Sequence, residues 1–148
     1  MMTMINMLSV KKIIELIVML ILVVQSIEDI KTKKIHLAGT ILIAIVSLVG
    51  NIYIGNFKEN VLFTLMVTVL LLPVMFICKK SIGLGDMLTF IALTLTMGSG
   101  VIEVALISTI TMSLVSLVLV ILKKANKTTH LPFVPCILIG YIIKVVLV

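Results

Sequence analysis

Asp86 follows a Gly83-Leu84-Gly85 turn in the stretch KKSIGLGDMLTF and runs directly into apolar residues. A carboxylate at the centre of a bilayer costs roughly 2.5 to 3.5 kcal/mol even on a lenient insertion scale, so an acid in such surroundings is a functional candidate by default. Six acids are present: Glu15, Glu28, Asp29, Glu59, Asp86 and Glu103. Asp29 closes the first apolar segment and Asp86 opens the fourth, which sets both at similar depth on one side. Glu59 lies on the other side with Lys58.

Two carboxylates in one low-dielectric site do not both ionise cheaply, so such a pair holds a single proton and offers an acid and a base together. A dyad of this kind deprotonates a water that attacks an amide carbonyl while the protonated partner donates to the carbonyl oxygen. Gly83 and Gly85 are expected to supply positive φ and close backbone approach, letting a substrate strand lie beside Asp86. The plainer reading of Gly-x-Gly-Asp is a loop whose Asp86 caps the following helix. Adjacent residues on a helix diverge by about 100 degrees, so Glu28 and Asp29 do not both face Asp86.

The elements that must position these acids are apolar. The chain is 61% hydrophobic and 12% charged, with a mean hydropathy of +1.39. That balance excludes an ordinary soluble domain and a disordered one, and predicts an integral membrane protein of all-α class. A helix needs about 20 apolar residues to span the hydrocarbon core. With the lysine clusters and glycines as punctuation, six transmembrane segments are expected, at about 12–28, 37–55, 60–78, 86–98, 101–122 and 132–148. The fourth is short, and either borrows from its flanks or dips in partway. The whole of 1–148 reads as a single integral-membrane domain without a soluble portion. Lys11 and Lys12 precede an apolar run, but no small-x-small cleavage site follows it, so the first segment reads as a retained helix rather than a signal peptide.

All the basic residues are lysines, in short clusters between apolar runs, and the net charge is +6. This reads as orientation and lipid-headgroup contact, not nucleic-acid binding. Lys31, Lys33, Lys34, Lys79, Lys80, Lys123, Lys124 and Lys127 fall in the odd-numbered connections. Lys11, Lys12, Lys58 and Lys144 fall on the opposite side. The positive-inside rule then puts the first side, with Asp29 and Asp86, in the cytoplasm of a plasma-membrane protein. Cys78 and Cys136 lack the paired spacing of a zinc or iron-sulfur site, so neither a metal nor a cofactor is expected.

Three motifs in order carry a resemblance. Asp29 is followed by IKTKK and then Ile35; GLGD precedes the fourth segment; and LPFVPCILIG, with Pro132, Phe133, Pro135 and Gly140, opens the last. In these the chain resembles the type IV prepilin and archaeal preflagellin peptidases, membrane aspartic peptidases of the Gly-x-Gly-Asp class with six helices. The resemblance covers nearly the whole length and is to short members without the N-terminal methyltransferase part, so N-methylation of the product is not expected. It implies catalytic Asp29 and Asp86, and cleavage of the basic leader of a prepilin-like or preflagellin-like membrane protein at the cytoplasmic face. His36 and Leu37 stand where the family has Pro and Asn, and Leu88 where many members have Lys. Those departures bear on substrate choice and leave an inactive paralogue open.

Loop lysines repel a basic leader, so recognition is expected to rest on its apolar stem, on anionic lipid, or on Glu28 and Asp29, with His36 near the substrate charge. Pro73 reads as a tolerated or kinking residue within the third segment. Pro132 and Pro135 suit the first turn of a helix. Glu15 and Glu103 are expected near helix ends, reaching water. His36 and His130 read otherwise as solvated interface residues. A second functional class, a small carboxylate-dependent transporter or membrane-complex subunit, uses the same two acids to bind a cation or relay protons.

Overall fold

The computed structural model describes residues 2–32, 37–77, 83–122 and 131–147. The described residues form six α-helices and one short 3-10 turn, without a strand. They are α1 (Met2–Thr32), α2 (Leu37–Ile54), α3 (Phe57–Ile77), α4 (Leu84–Met97), α5 (Val101–Ile121) and α6 (Val134–Leu147). The 3-10 turn, Gly98–Gly100, joins α4 to α5.

The five later helices follow the apolar segments closely, but α1 runs on well before residue 12. Lys11 and Lys12 do not end it, because lysine is a good helix former and Lys11 pairs with Glu15 one turn on, at 3.8 Å. Glu15 therefore lies within α1 and not near its end. Pro73 is inside α3. Two glycines at positive φ shape the turns: Gly55 (φ 83) after α2, and Gly98 (φ 55), which ends α4 with its N–H on Thr94 O.

The contacts fix the helix directions. Gln25 lies against Gly39 and Ile14 against Gly50, so α1 and α2 are antiparallel. Thr40 meets Thr89 and Ser47 meets Thr96, so α2 and α4 are parallel. Thr64 meets Thr94 while Asn60 lies against Gly98, so α3 and α4 are antiparallel. Ser108 lies against Gly140 and Met112 against Cys136, which makes α5 and α6 antiparallel as well. Neighbours run in the order α3, α4, α2, α1, α6, α5. One end of the bundle thus gathers the C-terminus of α1 with the N-termini of α2, α4 and α6.

Leu22, Ile43, Leu93, Val104, Ile137 and Tyr141 are fully buried at the centre. Buried with them are Thr40, Ser47, Asn51, Thr89, Thr94 and Ser108. The outward faces, by contrast, are apolar: Leu62, Leu65, Val69 and Leu70 on α3, and Leu106, Ile110, Leu114 and Leu117 on α5, are all exposed. An apolar core crossed by polar contacts, with apolar side chains on the outward faces as well, departs from the pattern of a water-soluble bundle. Two stretches are long and apolar enough to cross a membrane, Leu37–Ile54 and Leu84–Ile121. The second holds both α4 and α5; α4 has 14 residues, about 21 Å at 1.5 Å each.

Small residues set the closest approaches. A Cβ on Gly140 would lie 2.8 Å from Val104 O and 2.6 Å from Ser108 Oγ. Gly140→Ala is expected to force α5 and α6 apart and cost about 1 to 3 kcal/mol. Thermal unfolding in detergent measures this, and an unchanged midpoint would mean that the two helices separate freely.

Candidate functional site

Asp29 sits in the last turn of α1 and is 5% exposed. Its Oδ2 accepts the N–H of Val134, the first residue of α6, at 3.1 Å. The first N–H groups of a helix have no acceptor within it, and Pro135 has no N–H to offer. The Val134 N–H is thus an orphan donor, and Asp29 satisfies it from another helix. Cys136 and Ile137 donate instead to Phe133 O, closing the turn.

Asp86 lies in the first turn of α4, three residues after its N-cap, Gly83. The backbone N–H groups of Asp86 and Met87 both reach Gly83 O, at 3.1 and 3.3 Å. The Asp86 carboxylate folds back over Gly83, so that a Cβ there would stand 2.7 Å from Oδ2. Its Oδ1 is buried with no hydrogen-bond partner among the described residues. Asp29 is close enough to act on Asp86 electrostatically. Each carboxylate also meets the N-terminal end of a helix, α6 for Asp29 and α4 for Asp86. Those partial positive charges offset part of the repulsion between the two acids.

Behind this pair lies a buried hydroxyl and amide cluster that joins three helices. Gln25 Nε2 donates to Thr40 Oγ1 at 3.2 Å, Thr40 and Thr89 share a hydrogen bond at 3.3 Å, and Thr89 donates to Gly85 O at 2.9 Å. The cluster braces the first turn of α4, one turn from Asp86. On the other side Phe90 packs against Phe133 with ring centroids 5.9 Å apart. This contact ties α4 to the segment that leads into α6.

Of the residues singled out in the sequence, Asp29, Asp86 and Gly83 come together at one end of the bundle. Glu28 is half-buried beside Asp29, and its carbonyl accepts the Thr32 hydroxyl at 2.9 Å. Positive φ at Gly83 and Gly85 is corrected. Gly83 has φ −63 and ψ 122, and Gly85 is inside α4 and not among the positive-φ glycines. What Gly83 supplies is room for the Asp86 side chain. His36, Ile35, Cys78, His130 and the lysines Lys33, Lys34, Lys79, Lys80, Lys123, Lys124 and Lys127 lie outside the described residues. Glu15 does not simply reach water, being largely covered and paired with Lys11, whereas Glu103, in the first turn of α5, is exposed as expected and pairs with Lys144 at 2.6 Å.

Sequence reasoning missed Val134, Gln25, Thr40 and Thr89. Val134 had a signal, since Phe-Val-Pro marks a helix start whose free N–H needs an acceptor. The threonines had none, because in an apolar segment a hydroxyl bonded to its own helix looks the same as one bonded across an interface. The Asp29 cap has a measurable consequence. Asp29→Ala is expected to cost about 0.5 to 2 kcal/mol by stranding the Val134 N–H. Asp29→Asn retains an acceptor oxygen and should unfold near the wild-type temperature; equal losses for the two variants would argue against the cap.

The sequence matches no protein-family model, and comparison with curated proteins and with solved structures returns no match.

Proposed function

We propose that the protein is a membrane aspartic endopeptidase that removes the basic leader of prepilin-like or preflagellin-like proteins. The observation that carries this reading is the convergence of Asp29 and Asp86, from helices far apart in sequence, between the N-terminal ends of α4 and α6. The six helices are read as spanning a plasma membrane, and the dyad as facing the cytoplasm, in keeping with the lysine distribution. The apolar outward faces support the lipid setting.

In the proposed reaction the pair shares one proton. One carboxylate takes a proton from a water as its oxygen attacks the scissile carbonyl, and the other acid donates to the carbonyl oxygen. The tetrahedral intermediate collapses as the carbon–nitrogen bond breaks and the leaving amine takes up a proton from the dyad. Asp86 Oδ1, which bonds no described residue, is the oxygen free to meet the water or the carbonyl. The extended backbone at Gly83 lies beside it, where a substrate strand would run. The apolar stem of the substrate would dock among the helices, with Glu28 near its basic leader and His36 in the neighbouring connection.

The alternative of a cation transporter or proton relay uses the same acids. The buried polar contacts between α2 and α4 fall in two separate zones, Thr40 with Thr89 and, further along, Ser47 with Thr96 together with Asn51 on Leu95 O. Seven residues, about 10 Å of helix, separate the zones, and the fully buried Ile43 and Leu93 fall in that interval. A broken ladder suits helix–helix adhesion better than conduction. Co-expression with a candidate prepilin, read as a mobility shift on a gel, tests the proposal. A shift that requires this chain supports it. Ion flux in proteoliposomes that vanishes in Asp86→Asn, with no prepilin cleaved, would reverse the ranking. An intact dyad with neither activity would point to an inactive paralogue.

A further inference from the structure

At the end of the bundle away from the two aspartates lies a cleft of about 260 Å3. Its polar wall includes Lys11, Lys12, Lys144, Glu15, Asn51 and Asn60, drawn from α1, α2, α3 and α6. Glu15 and Asp29 are fourteen residues apart on α1, about 21 Å along the axis, so the cleft is remote from the dyad. We propose that it binds a phosphate ester anion, the chemistry shared by an anionic phospholipid headgroup and a soluble glycerol phosphate.

Charge is the first argument. Three lysines face one glutamate in the wall, and Glu103, just outside it, holds Lys144 at 2.6 Å. Three cations against these two carboxylates leave a net of +1, the complement of a phosphodiester. Lys11 is engaged with Glu15, whereas Lys12 is exposed and makes no ion pair among the described residues.

The amides are the second argument. Asn51 is buried and donates to Leu95 O at 2.5 Å, and Asn60 donates to Asn51 Oδ1 at 2.7 Å. Each carboxamide nitrogen carries two hydrogens and only one is used in these bonds. The network therefore fixes two carboxamides in the cleft lining, each with a second N–H not used in these bonds.

Size and surroundings are the third. A cleft of this volume falls just below the ~300 to 1,000 Å3 of sites that enclose drug-sized molecules, which suits a headgroup and not a whole lipid. Leu8, Ile54, Met97 and Val145 add apolar side chains to the wall, and Ile52 and Tyr53, just before Ile54 in the chain, are exposed. An acyl chain attached to the bound group has apolar surface to follow.

The test uses the full chain in detergent and native mass spectrometry, with phosphatidylglycerol, phosphatidylcholine and sn-glycerol 3-phosphate as probes. Phosphatidylglycerol should be retained over phosphatidylcholine, and Lys12→Gln should weaken its retention about fivefold, the worth of one lysine at a lipid surface. Lys58→Gln, a change at the same end but outside the cleft wall, should leave retention unaltered. Displacement of phosphatidylglycerol by sn-glycerol 3-phosphate would assign the site to soluble esters as well; retention without displacement assigns it to lipid. Equal retention of the two lipids together with no binding of the soluble ester, or equal losses in Lys12→Gln and Lys58→Gln, would overturn the proposal. Lys12 is exposed, so its replacement leaves the packing of α1 intact.

Discussion

Asp86→Asn is expected to lower leader cleavage by about 10²- to 10⁴-fold, and Asp29→Asn to do the same, while both variants still insert and fold. The change keeps the shape of each side chain but removes the group that gains and loses a proton. For Asp29 the amide oxygen still accepts the Val134 N–H, so the α1–α6 junction survives. For Asp86 the helix start depends on backbone bonds to Gly83 O and not on the carboxylate. Loss of activity with an unchanged unfolding midpoint would therefore report chemistry and not collapse. Because the two acids act as one unit, the double variant should be little worse than either single one. Full processing of a prepilin by either single variant would sink the dyad.

Gly83→Ala is the second large effect, and it separates room from flexibility. At φ −63 and ψ 122 the backbone is in a region that alanine adopts without strain, so stability should scarcely change. The new methyl would nevertheless stand 2.7 Å from Asp86 Oδ2 and push the carboxylate aside. A displacement on the order of 1 Å costs about 10²-fold in rate when reacting groups are held in place. The expected outcome is a fall in kcat of that size at a near-wild-type unfolding midpoint. Wild-type kcat in Gly83→Ala would show that the position of Asp86 over Gly83 is unimportant. Loss of folding would instead mean that the turn before α4 tolerates no side chain at all.

The far-end cleft and the dyad differ in exposure and in charge. Near the dyad, polar groups are buried and bonded across helices, as in Gln25, Thr40 and Thr89. At the far end three lysines and three asparagines share an open cleft. A lipid or phosphate ester seated there would bridge α1, α2, α3 and α6 without touching the reacting groups. Its loss should be felt in retention of the ligand rather than in cleavage.

Composition and segment length determined the all-α class and the places of the later helices, because a run of apolar residues without breakers has little choice but to satisfy its backbone within a helix. They did not determine where α1 begins, since lysines that look like a border are also good helix residues and one of them pairs with Glu15. The two acids stood out in the sequence because charge is rare in such surroundings. Their proximity did not, since it depends on α1 reaching the ends of α4 and α6 by helix packing. The same is true of Gly83: sequence showed a glycine, but only the fold of the Asp86 side chain over it distinguishes spare volume from positive φ. Hydrogen-bond partners fifteen to 105 residues apart, such as Gln25 with Thr40 and Asp29 with Val134, carry no local signature. Local pattern specifies helices because their bonds are local; the sites belong to tertiary structure because their bonds are not.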